Sequence, residues 1–405
     1  MSKASFDVVI VGGGVIGTSA AYYLSKERDL SVALVDIRKP GGASLASAGG
    51  LWPIGESVGL GCGVVFFKTL SRQVSEHSGD SVSYERPPQL PDFFFEFCLK
   101  SNELFPDLWM TFKEEYGVDF KLEKTGLKFI MYDEDDYTYA RQIADSIPHL
   151  SQHLRWMDAR ELSDEEPYIT PDTVGALMFL NDGQVNPYLL VQAFREAARQ
   201  NGTRLFLQTE MKDVIVEKNR VTAVETDTER IACGTVINSA GVWASDITKM
   251  ALGREIPVTP VKGQIIISEK MPKILRSCLS TRDCYIAQKN NGEILIGSTT
   301  EKDGYDVSCT FQALHNLSEG AVKCIPKLRE INIKRAWAGL RPGTPDEIPI
   351  LGPVNEIKGY LNACGHFRTG ILNSALTGKI IHDLVYKKPP PIDLTPFLLE
   401  RFGTK

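Results

Sequence analysis

The chain has 405 residues, of which 43% are apolar and 24% charged, and its formal net charge at pH 7 is −6. This length exceeds that of one hydrophobic core, so we expect two closely joined domains, and the composition excludes a disordered or fibrous chain. Because no dense run of Lys and Arg occurs beyond Lys387 and Lys388, a role in binding nucleic acid or acidic lipid has no electrostatic support.

The eight cysteines are scattered, without CxxC pairs or zinc-like spacing. They are typical of the reduced thiols of a cytoplasmic protein, and we predict no metal site. Cys62 lies in a glycine-rich loop at 55–63, and a small residue buried in a tight loop is the favoured interpretation. Asp7 and the glycines after it argue against a signal peptide, and no apolar stretch approaches the roughly 18–20 residues that cross a bilayer. We expect a cytoplasmic chain, held at the inner face of the cell membrane only through a complex.

The first predicted elements form a βαβ unit. Residues 6–11 are a short apolar strand that glycines end, residues 15–25 are helical, and residues 30–35 are a second strand that ends at Asp36. Residues 38–65 are rich in Gly, Ala and Ser, a composition typical of an irregular segment around a ligand.

Beyond residue 88, the periodicity of apolar residues predicts elements of both kinds. In chain order they are helices at 88–118, a strand at 126–132, a helix at 188–200, short strands at 204–224, a buried strand at 235–238, antiparallel sheet at 255–300 and a helix at about 369–386. Because βαβ and antiparallel signals alternate along the chain, we expect the domains to be interleaved.

The segment after the first strand carries a dinucleotide-binding motif. Residues 12–17 read Gly-Gly-Gly-Val-Ile-Gly, which satisfies GxGxxG. The first glycine permits the tight turn, the second lets the backbone approach the pyrophosphate, and the third lets helix and strand pack closely. The helix N-terminus then offers N–H groups to the phosphates, and the acid that ends the second strand can accept bonds from ribose hydroxyls. The predicted contacts are Gly12, Gly14, Val15, Ile16, Gly17 and Asp36.

The position of this motif at the N-terminus and the Gly/Ala/Ser segment that follows favour FAD over NAD. Asp36 argues against NADP, because its charge would repel the 2′-phosphate. The sequence therefore predicts bound FAD.

Four blocks of sequence resemble the D-amino-acid oxidase superfamily, nearest to glycine oxidase, sarcosine oxidase and the dye-linked amino-acid dehydrogenases. The blocks are the N-terminal loop with Asp36, residues 43–50, residues 236–244, and the paired segments 337–344 and 365–372. The resemblance spans essentially the whole chain. It implies further FAD contacts at Ser44, Ser47, Ala48, Gly49, Ala240, Gly241, Trp243, His366, Phe367, Arg368, Thr369, Gly370 and Ile371.

The fold that the resemblance implies is α/β combined with α+β. A discontinuous Rossmann-type FAD-binding domain of the D-amino-acid oxidase kind is expected from residues 1–88, 150–245 and 328–405. An antiparallel-sheet substrate domain is expected from residues 89–149 and 246–327.

Within the superfamily, residues 49–67, 292–301 and 361–368 are most similar to the glycine-oxidising subunits of bacterial hydrogen cyanide synthases. This implies oxidation of glycine to hydrogen cyanide and carbon dioxide, with electrons passed to iron–sulfur or flavin subunits of a membrane-associated hetero-oligomer. Three alternatives stay open: a D-hydroxyproline or opine dehydrogenase β subunit, a glycine or sarcosine oxidase, and a non-catalytic FAD-bound scaffold. The substrate, the electron acceptor, the oligomeric state and a second flavin at a subunit interface are left open by the sequence.

The resemblance also implies the residues at the reacting end of the flavin, where hydride passes from the amino acid to N5. Arg341 matches the arginine that binds the substrate carboxylate, a task that suits a planar, always charged guanidinium. An ion pair is its rival interpretation. Tyr285 matches the tyrosine that assists it, with a core tyrosine as the rival, and Arg368 is placed beside the flavin. We expect His366 to be structural or at the flavin edge.

Two further interpretations combine what the resemblance implies with the chemistry of the residues. The helix that opens near Thr369 and Gly370 is expected to point its N–H groups at the flavin C2 carbonyl and to stabilise negative charge on the reduced ring. Glu56 either meets a substrate amine or is a solvated loop carboxylate, and the solvated interpretation is favoured.

Overall fold

The computed structural model describes residues 4–58 and 90–403. Cys62 and the part of the glycine-rich loop from residue 59 onward lie outside the described residues. Within these ranges the strands form two eight-stranded sheets and one two-stranded ladder.

Strands and helices are interspersed along the chain. In chain order, the strands are β1 (Ser5–Val11), β2 (Val32–Asp36), β3 (Gly50–Leu51), β4 (Leu127–Met131), β5 (Leu154–Asp158), β6 (Gly175–Phe179), β7 (Gly183–Gln184), β8 (Arg204–Leu207), β9 (Met211–Glu217), β10 (Arg220–Thr226), β11 (Arg230–Asn238), β12 (Thr259–Lys270), β13 (Cys278–Ser280), β14 (Tyr285–Gln288), β15 (Glu293–Gly297), β16 (Ile333–Gly343), β17 (Ile350–Pro353) and β18 (Tyr360–Cys364). The helices are α1 (Val15–Ser25), α2 (Ala43–Ala46), α3 (Asp92–Glu103), α4 (Phe105–Glu115), α5 (Glu134–Ser146), α6 (Ala159–Glu165), α7 (Pro187–Gln200), α8 (Ala244–Leu252), α9 (Phe311–Cys324) and α10 (Gly370–Val385). Short 3₁₀ turns occupy Pro148–His153, Gly241–Trp243, Pro326–Glu330, Thr395–Phe397 and Leu399–Phe402.

The first sheet has the order β17-β18-β11-β1-β2-β8, and β10 and β9 extend it from β11. Strands β18, β11, β1, β2 and β8 run parallel. Parallel strands are covered on both faces, which is why β1 and β2 read as nearly unbroken runs of Val, Ile and Leu. Their buried side chains divide between two clusters, one on each face.

Helices α1, α7 and α10 pack on one face of this sheet. The contact between α1 and α10 is close because small residues meet there: the Ser19 hydroxyl donates to the Ser374 carbonyl at 2.8 Å. A Cβ added to Gly378 would lie 2.2 Å from the Ser19 Oγ. The small side chains of the predicted first helix therefore serve a helix–helix contact.

The second sheet has the order β16-β12-β15-β14-β13-β4-β6-β5 and is mostly antiparallel. One face carries an apolar cluster that includes Trp52, Phe129 and Tyr285. The other face is covered by α9, through Leu317 and Ala321.

The predicted domain boundaries stay a prediction, and the sheets distribute the strands somewhat differently. Strands β5 and β6 lie within the predicted FAD-binding segment 150–245, but they hydrogen-bond into the second sheet. Strand β16, within 328–405, does so as well. Helices α3 and α4, within the predicted substrate segment 89–149, contribute to the core of the first sheet.

No helix among the described residues is both long enough and apolar enough to span a bilayer.

Candidate active site

The carboxyl ends of four parallel strands bring the separate sequence blocks together. Gly12 follows β1, Asp36 ends β2, Ser239 follows β11 and Gly365 follows β18. Because these strands are parallel neighbours, their carboxyl ends lie at one edge of the sheet, which is where open α/β sheets bind ligands.

The glycine loop is fixed by contacts that leave no room for side chains. Gly12 has φ +105°, and an added Cβ would lie 2.5 Å from the Ser239 carbonyl oxygen. A Cβ added to Gly17 would lie 1.9 Å from the Gly12 carbonyl oxygen. The absence of a side chain at Gly17 therefore lets α1 pack against the turn. The Ser239 hydroxyl holds the turn from the other side by donating to the Val11 carbonyl at 2.8 Å.

Asp36 and Ser44 complete this end of the site. An Asp36 carboxylate oxygen accepts from the Gly13 amide at 3.0 Å, and the Ser44 Oγ accepts from the Val15 amide at 2.9 Å. Side chains from the second strand and from the Gly/Ala/Ser segment thus both fasten the start of α1.

One continuous cavity of about 720 Å³ runs from this loop to the second sheet. Asp36 and the glycine loop line one end, and Tyr285 and Arg341 line the other. A tight glycine cradle, a helix N-terminus and an acid at the end of the second strand are the features that an adenosine diphosphate group requires. The cavity therefore fits FAD, and its flavin ring would lie toward the second sheet.

Arg341 lies on the cavity face of the second sheet. It is opposite Val261 in the β12–β16 ladder, and Gly263 is opposite Gly339, so these four residues point to the same face. An added Cβ on Gly263 would lie 2.3 Å from both terminal nitrogens of Arg341. Because Gly263 has no side chain, the guanidinium can lie on the backbone of β12.

The hydrogen bonds of Arg341 orient it without neutralising it. Nη1 donates to the carbonyls of Lys262 (3.3 Å) and Thr299 (3.1 Å), and Nη2 donates to the Ser298 hydroxyl. None of these partners is a carboxylate, and the ion pairs found among the described residues do not include Arg341. The rival interpretation as a structural ion pair therefore has no support in the described structure.

Tyr285 occupies the neighbouring position on the same face. It is opposite Gly297, which is also opposite Ile265, and an added Cβ on Gly297 would lie 2.6 Å from the Tyr285 hydroxyl. Its ring packs edge-on against Trp52 with centroids 5.3 Å apart. Tyr285 is 4% exposed, so it is both a core residue and part of the cavity wall.

Arg368 is held in an ion-pair cluster. Its Nε lies 3.2 Å from a Glu56 carboxylate oxygen, and its Nη2 lies 2.7 Å from Glu347. Glu56 is only 7% exposed and lines the cavity. The favoured interpretation of Glu56 as a solvated loop carboxylate is wrong, because the turn at 53–58 folds inward and places the carboxylate against Arg368.

His366 lies in the cavity wall just before α10. It is 2% exposed, and its Nε2 is 3.0 Å from the Thr377 hydroxyl. Burial lowers the pKa of His366 to about 3, so the ring is neutral at physiological pH.

The two C-terminal blocks meet at this point. The Phe367 amide donates to the Pro342 carbonyl at 3.0 Å, which joins the segment before α10 to the end of β16. Gly370 and Ile371, in the first turn of α10, line the cavity.

Most of the predicted contacts line the cavity, but three lie behind it. The wall contains Gly12, Gly14, Val15, Ile16, Asp36, Ser44, Ser47, Ala48, Ala240, Gly241, Trp243, Tyr285, Arg341, His366, Phe367, Arg368, Gly370 and Ile371. Gly17 packs on the turn, and Gly49 (φ +82°) packs against the Val185 carbonyl. Thr369 precedes α10, and its hydroxyl donates to the His366 carbonyl at 3.0 Å. These three support the wall from behind.

The sequence did not indicate Lys289 as part of this support. Its ammonium donates to the Ala48 carbonyl at 2.6 Å and to the Gln184 side chain at 2.7 Å. Burial lowers the pKa of Lys289 to about 8. A lone lysine in a hairpin turn carries no sequence signal, because its partners are 105 and 241 residues away along the chain.

Comparison with known proteins gives consistent results over the whole chain. The family described as FAD dependent oxidoreductase (DAO) matches residues 7–384. The chain is 54% identical over 403 residues to the hydrogen cyanide synthase subunit HcnC of Pseudomonas protegens, covering 98% of this chain and 97% of that protein. It is 52% identical over 402 residues to the HcnC of Pseudomonas aeruginosa, covering 98% and 96%. The crystal structure of glycine oxidase from Geobacillus kaustophilus has a TM-score of 0.84 at 28% identity and covers 98% of this chain and 99% of that one.

Proposed function

This chain belongs to the DAO family of FAD-dependent oxidoreductases, and we propose that it oxidises glycine as the catalytic subunit of a hydrogen-cyanide-forming enzyme. Support for the substrate comes from the high identity to two hydrogen cyanide synthase subunits over nearly their full length. Support for catalysis, rather than a scaffold role, comes from the site itself.

The observation that carries the proposal is the environment of Arg341. A guanidinium that faces a cavity and is oriented by two carbonyls and a hydroxyl retains its full positive charge. Such a group binds a carboxylate with charge-assisted hydrogen bonds. A scaffold subunit would have no need of this charge at the flavin end of its cavity.

The residues of this chain hold and orient the amino acid. Arg341 binds the carboxylate, Tyr285 lies on the same sheet face, and Trp52 packs against the Tyr285 ring in the cavity wall. FAD, when bound, would supply the hydride acceptor for the oxidation of the amino acid. The side chains contribute position and charge, and no side-chain nucleophile is required.

The stoichiometry of the reaction calls for partners. Glycine yields hydrogen cyanide, carbon dioxide, four protons and four electrons, so two hydride equivalents must leave the substrate. Within residues 4–58 and 90–403 no cluster of His, Cys, Asp and Glu could hold a metal. We infer that iron–sulfur or flavin subunits receive the electrons, and that any attachment to the inner face of the cell membrane is through them.

The test is anaerobic bleaching of the FAD-loaded chain by a panel of glycine, sarcosine, D-proline, D-hydroxyproline and an opine, with cyanide assayed after reoxidation by an artificial acceptor. We expect glycine to bleach the flavin and to give cyanide. An R341M variant is the control: it should keep its FAD and lose most of the bleaching by glycine.

Other results would assign a different function. Bleaching by D-hydroxyproline or an opine but not by glycine would identify a secondary-amine dehydrogenase. Rapid turnover of the isolated chain with oxygen would identify an oxidase. A flavin that no member of the panel bleaches would indicate a scaffold.

A further inference from the structure

Beyond the end of β15, the chain stays paired with β12 as far as Glu301. The Lys262 amide donates to the Glu301 carbonyl at 2.9 Å, and the Glu301 amide donates to the Lys262 carbonyl at 3.0 Å. In an antiparallel ladder such hydrogen-bonded pairs recur at every second residue. Gln264 and Thr299 therefore form the next pair, and in a regular ladder they would exchange two backbone hydrogen bonds.

In the Gln264–Thr299 pair, a side chain replaces one of the two backbone acceptors. The Thr299 amide donates to the Gln264 carbonyl at 3.3 Å, as in a regular ladder. The Gln264 amide donates instead to the Thr299 hydroxyl, at 2.9 Å. A threonine hydroxyl carries two lone pairs and can take the place of a backbone acceptor. The Thr299 hydroxyl thus occupies the ladder position that the carbonyl of the same residue would otherwise fill.

The Thr299 carbonyl contacts Arg341 instead. It accepts from Nη1 of Arg341 at 3.1 Å, and the Lys262 carbonyl accepts from the same nitrogen at 3.3 Å. Two carbonyls of one ladder therefore fix one arm of the guanidinium. Arg341 lines the cavity, whereas Thr299 is not part of the described wall, so we expect Thr299 to act on a ligand through Arg341.

A β-bulge separates this pair from the regular part of β15. Ile265 is opposite Gly297, whereas the preceding residue of β12, Gln264, is bonded to Thr299. Ser298 is the extra residue, and its hydroxyl accepts from Nη2 of the guanidinium. Bulges are frequent next to active sites, where they redirect a side chain. Here the bulge turns the Ser298 hydroxyl and the Thr299 carbonyl toward the same guanidinium.

Glu301 fixes the orientation of the Thr299 hydroxyl. The hydroxyl donates its proton to the Glu301 carboxylate. The same carboxylate accepts from the Gln264 side chain at 2.9 Å and 3.1 Å and lies 3.5 Å from the Lys262 ammonium. Because a hydroxyl has one proton, the Thr299 hydroxyl faces the Gln264 amide as an acceptor.

We propose that Thr299 is a positioning residue for Arg341: its hydroxyl takes the ladder bond, and its carbonyl orients the guanidinium toward the carboxylate of the substrate. A guanidinium binds a carboxylate best when two parallel N–H groups meet its two oxygens, and this geometry requires a fixed fork. This inference rests on the proposed role of Arg341 in binding the carboxylate.

The test replaces Thr299 with valine, which has a similar shape and no hydroxyl, and uses acetate as the simplest carboxylate. In T299V the backbone carbonyl becomes the acceptor for the Gln264 amide and turns away from Arg341. The Kd of acetate, measured from the shift of the flavin absorbance of the FAD-loaded chain, should rise roughly 10-fold. T299S restores the hydroxyl and should return the Kd to within about threefold of wild type.

T226V is the matched control in the first sheet. The Thr226 hydroxyl also accepts from backbone amides, those of Thr228 at 3.3 Å and Glu229 at 3.0 Å, and Thr226 is not part of the described cavity wall. Its loss should leave the Kd of acetate within about twofold of wild type, because contributions of distant sites are independent.

A double variant separates positioning from general damage to the second sheet. R341K keeps the positive charge but has no planar fork to orient. Adding T299V to R341K should therefore change the Kd of acetate by less than about twofold. A 10-fold rise in both backgrounds, no recovery in T299S, or an unchanged Kd in T299V would overturn the proposal.

A crystal structure of the unmodified FAD-loaded chain with acetate is the second test, and it applies even if T299V does not fold. It should show the Gln264 amide bonded to the Thr299 hydroxyl and Nη1 of Arg341 bonded to the Thr299 carbonyl. A regular ladder, with that carbonyl on the Gln264 amide, would overturn the proposal.

Acetate binding does not depend on the oxidation of glycine, so the two proposals can fail separately. If glycine fails to bleach the flavin while acetate binding responds to T299V and T299S as expected, the proposed substrate is wrong and the role of Thr299 is supported. If R341M binds acetate as tightly as wild type, the proposed role of Arg341 is wrong, and this inference fails with it.

Discussion

At the scale of single residues, the two arginines of the site differ in the groups that they contact. Arg341 has carbonyl and hydroxyl partners, whereas Arg368 contacts two carboxylates, those of Glu56 and Glu347. Carboxylates beside an arginine weaken its attraction for a bound anion, and carbonyl and hydroxyl partners do not carry such a charge. The predicted role of Arg341 in binding the carboxylate and that of Arg368 beside the flavin remain proposals, and this contrast supports the first more directly.

His366 makes stability depend on pH in a defined direction. Burial lowers its pKa to about 3 in the folded chain, against about 6.5 in the unfolded chain. Below pH 6.5 the unfolded chain binds a proton that the folded chain does not, so the free energy of unfolding falls by up to about 1.4 kcal/mol per pH unit. The stabilising contribution is complete above pH 6.5 and is lost as the pH falls toward 3.

An H366Q variant isolates this contribution, because every other titrating group is common to both proteins. The free energy of unfolding is measured by urea titration with excess FAD. The amount by which wild type exceeds H366Q in this free energy should be larger at pH 7 than at pH 5, by up to about 2 kcal/mol. The same difference at both pH values would show that His366 binds a proton in the folded state.

At the scale of elements, the second sheet forms a substrate surface because it has glycines where charged and aromatic side chains must lie flat. Gly263 makes room for Arg341, and Gly297 makes room for Tyr285. Since opposite residues of an antiparallel pair share a face, any side chain at either glycine would push the functional group into the cavity.

Replacing Gly263 with alanine should therefore impair binding with little effect on stability. The new Cβ would lie 2.3 Å from the Arg341 nitrogens, which are the movable end of a long side chain, so we expect a change in unfolding free energy within about 1 kcal/mol. The displaced guanidinium should lower kcat/KM for glycine roughly 10- to 100-fold, measured by anaerobic flavin reduction.

G234A serves as the matched control for this substitution. It is the same change in a strand, and its new Cβ would meet nothing closer than the Asp7 carbonyl oxygen at 3.7 Å. Its kcat/KM should stay within twofold of wild type, since such a contact is ordinary packing. Wild-type kinetics in G263A would mean that Arg341 does not bind the carboxylate from this position.

The elements that the sequence predicts best are those with a local signal. The strand, glycine turn and helix at 6–25 form as predicted because each residue type suits its local conformation, and the predicted FAD-dependent family and fold class are confirmed. Strands β5 and β6 were not predicted, because their place depends on the pairing of β6 with distant β4 and of β5 with β6. The burial of Glu56 likewise depends on Arg368, 312 residues later in the chain, which no local pattern encodes.

At the scale of the whole molecule, the cavity lies between the two large sheets, and both contribute residues to its wall. The nucleotide end belongs to loops of the first sheet, and Ile265, Tyr285 and Arg341 belong to the second. A ligand that fills the whole cavity therefore contacts both sheets, and a ligand that fills only the nucleotide end contacts one.

This arrangement predicts different hydrogen-exchange protection by FAD and by ADP when each saturates the apoprotein. Binding slows local opening of the elements that a ligand contacts. ADP should protect amides in residues 8–17 and 32–37 only. FAD should protect the same amides and, in addition, those of 285–297 and 335–343, because its flavin ring would lie against the second sheet.

NADP, which Asp36 repels, is the negative control and should protect neither set. Equal protection by ADP and FAD across both sheets would mean that the sheets respond as one unit to the nucleotide end alone. Protection by FAD confined to the first sheet would place the flavin ring away from Arg341, and the proposed carboxylate site would then lose its geometric basis.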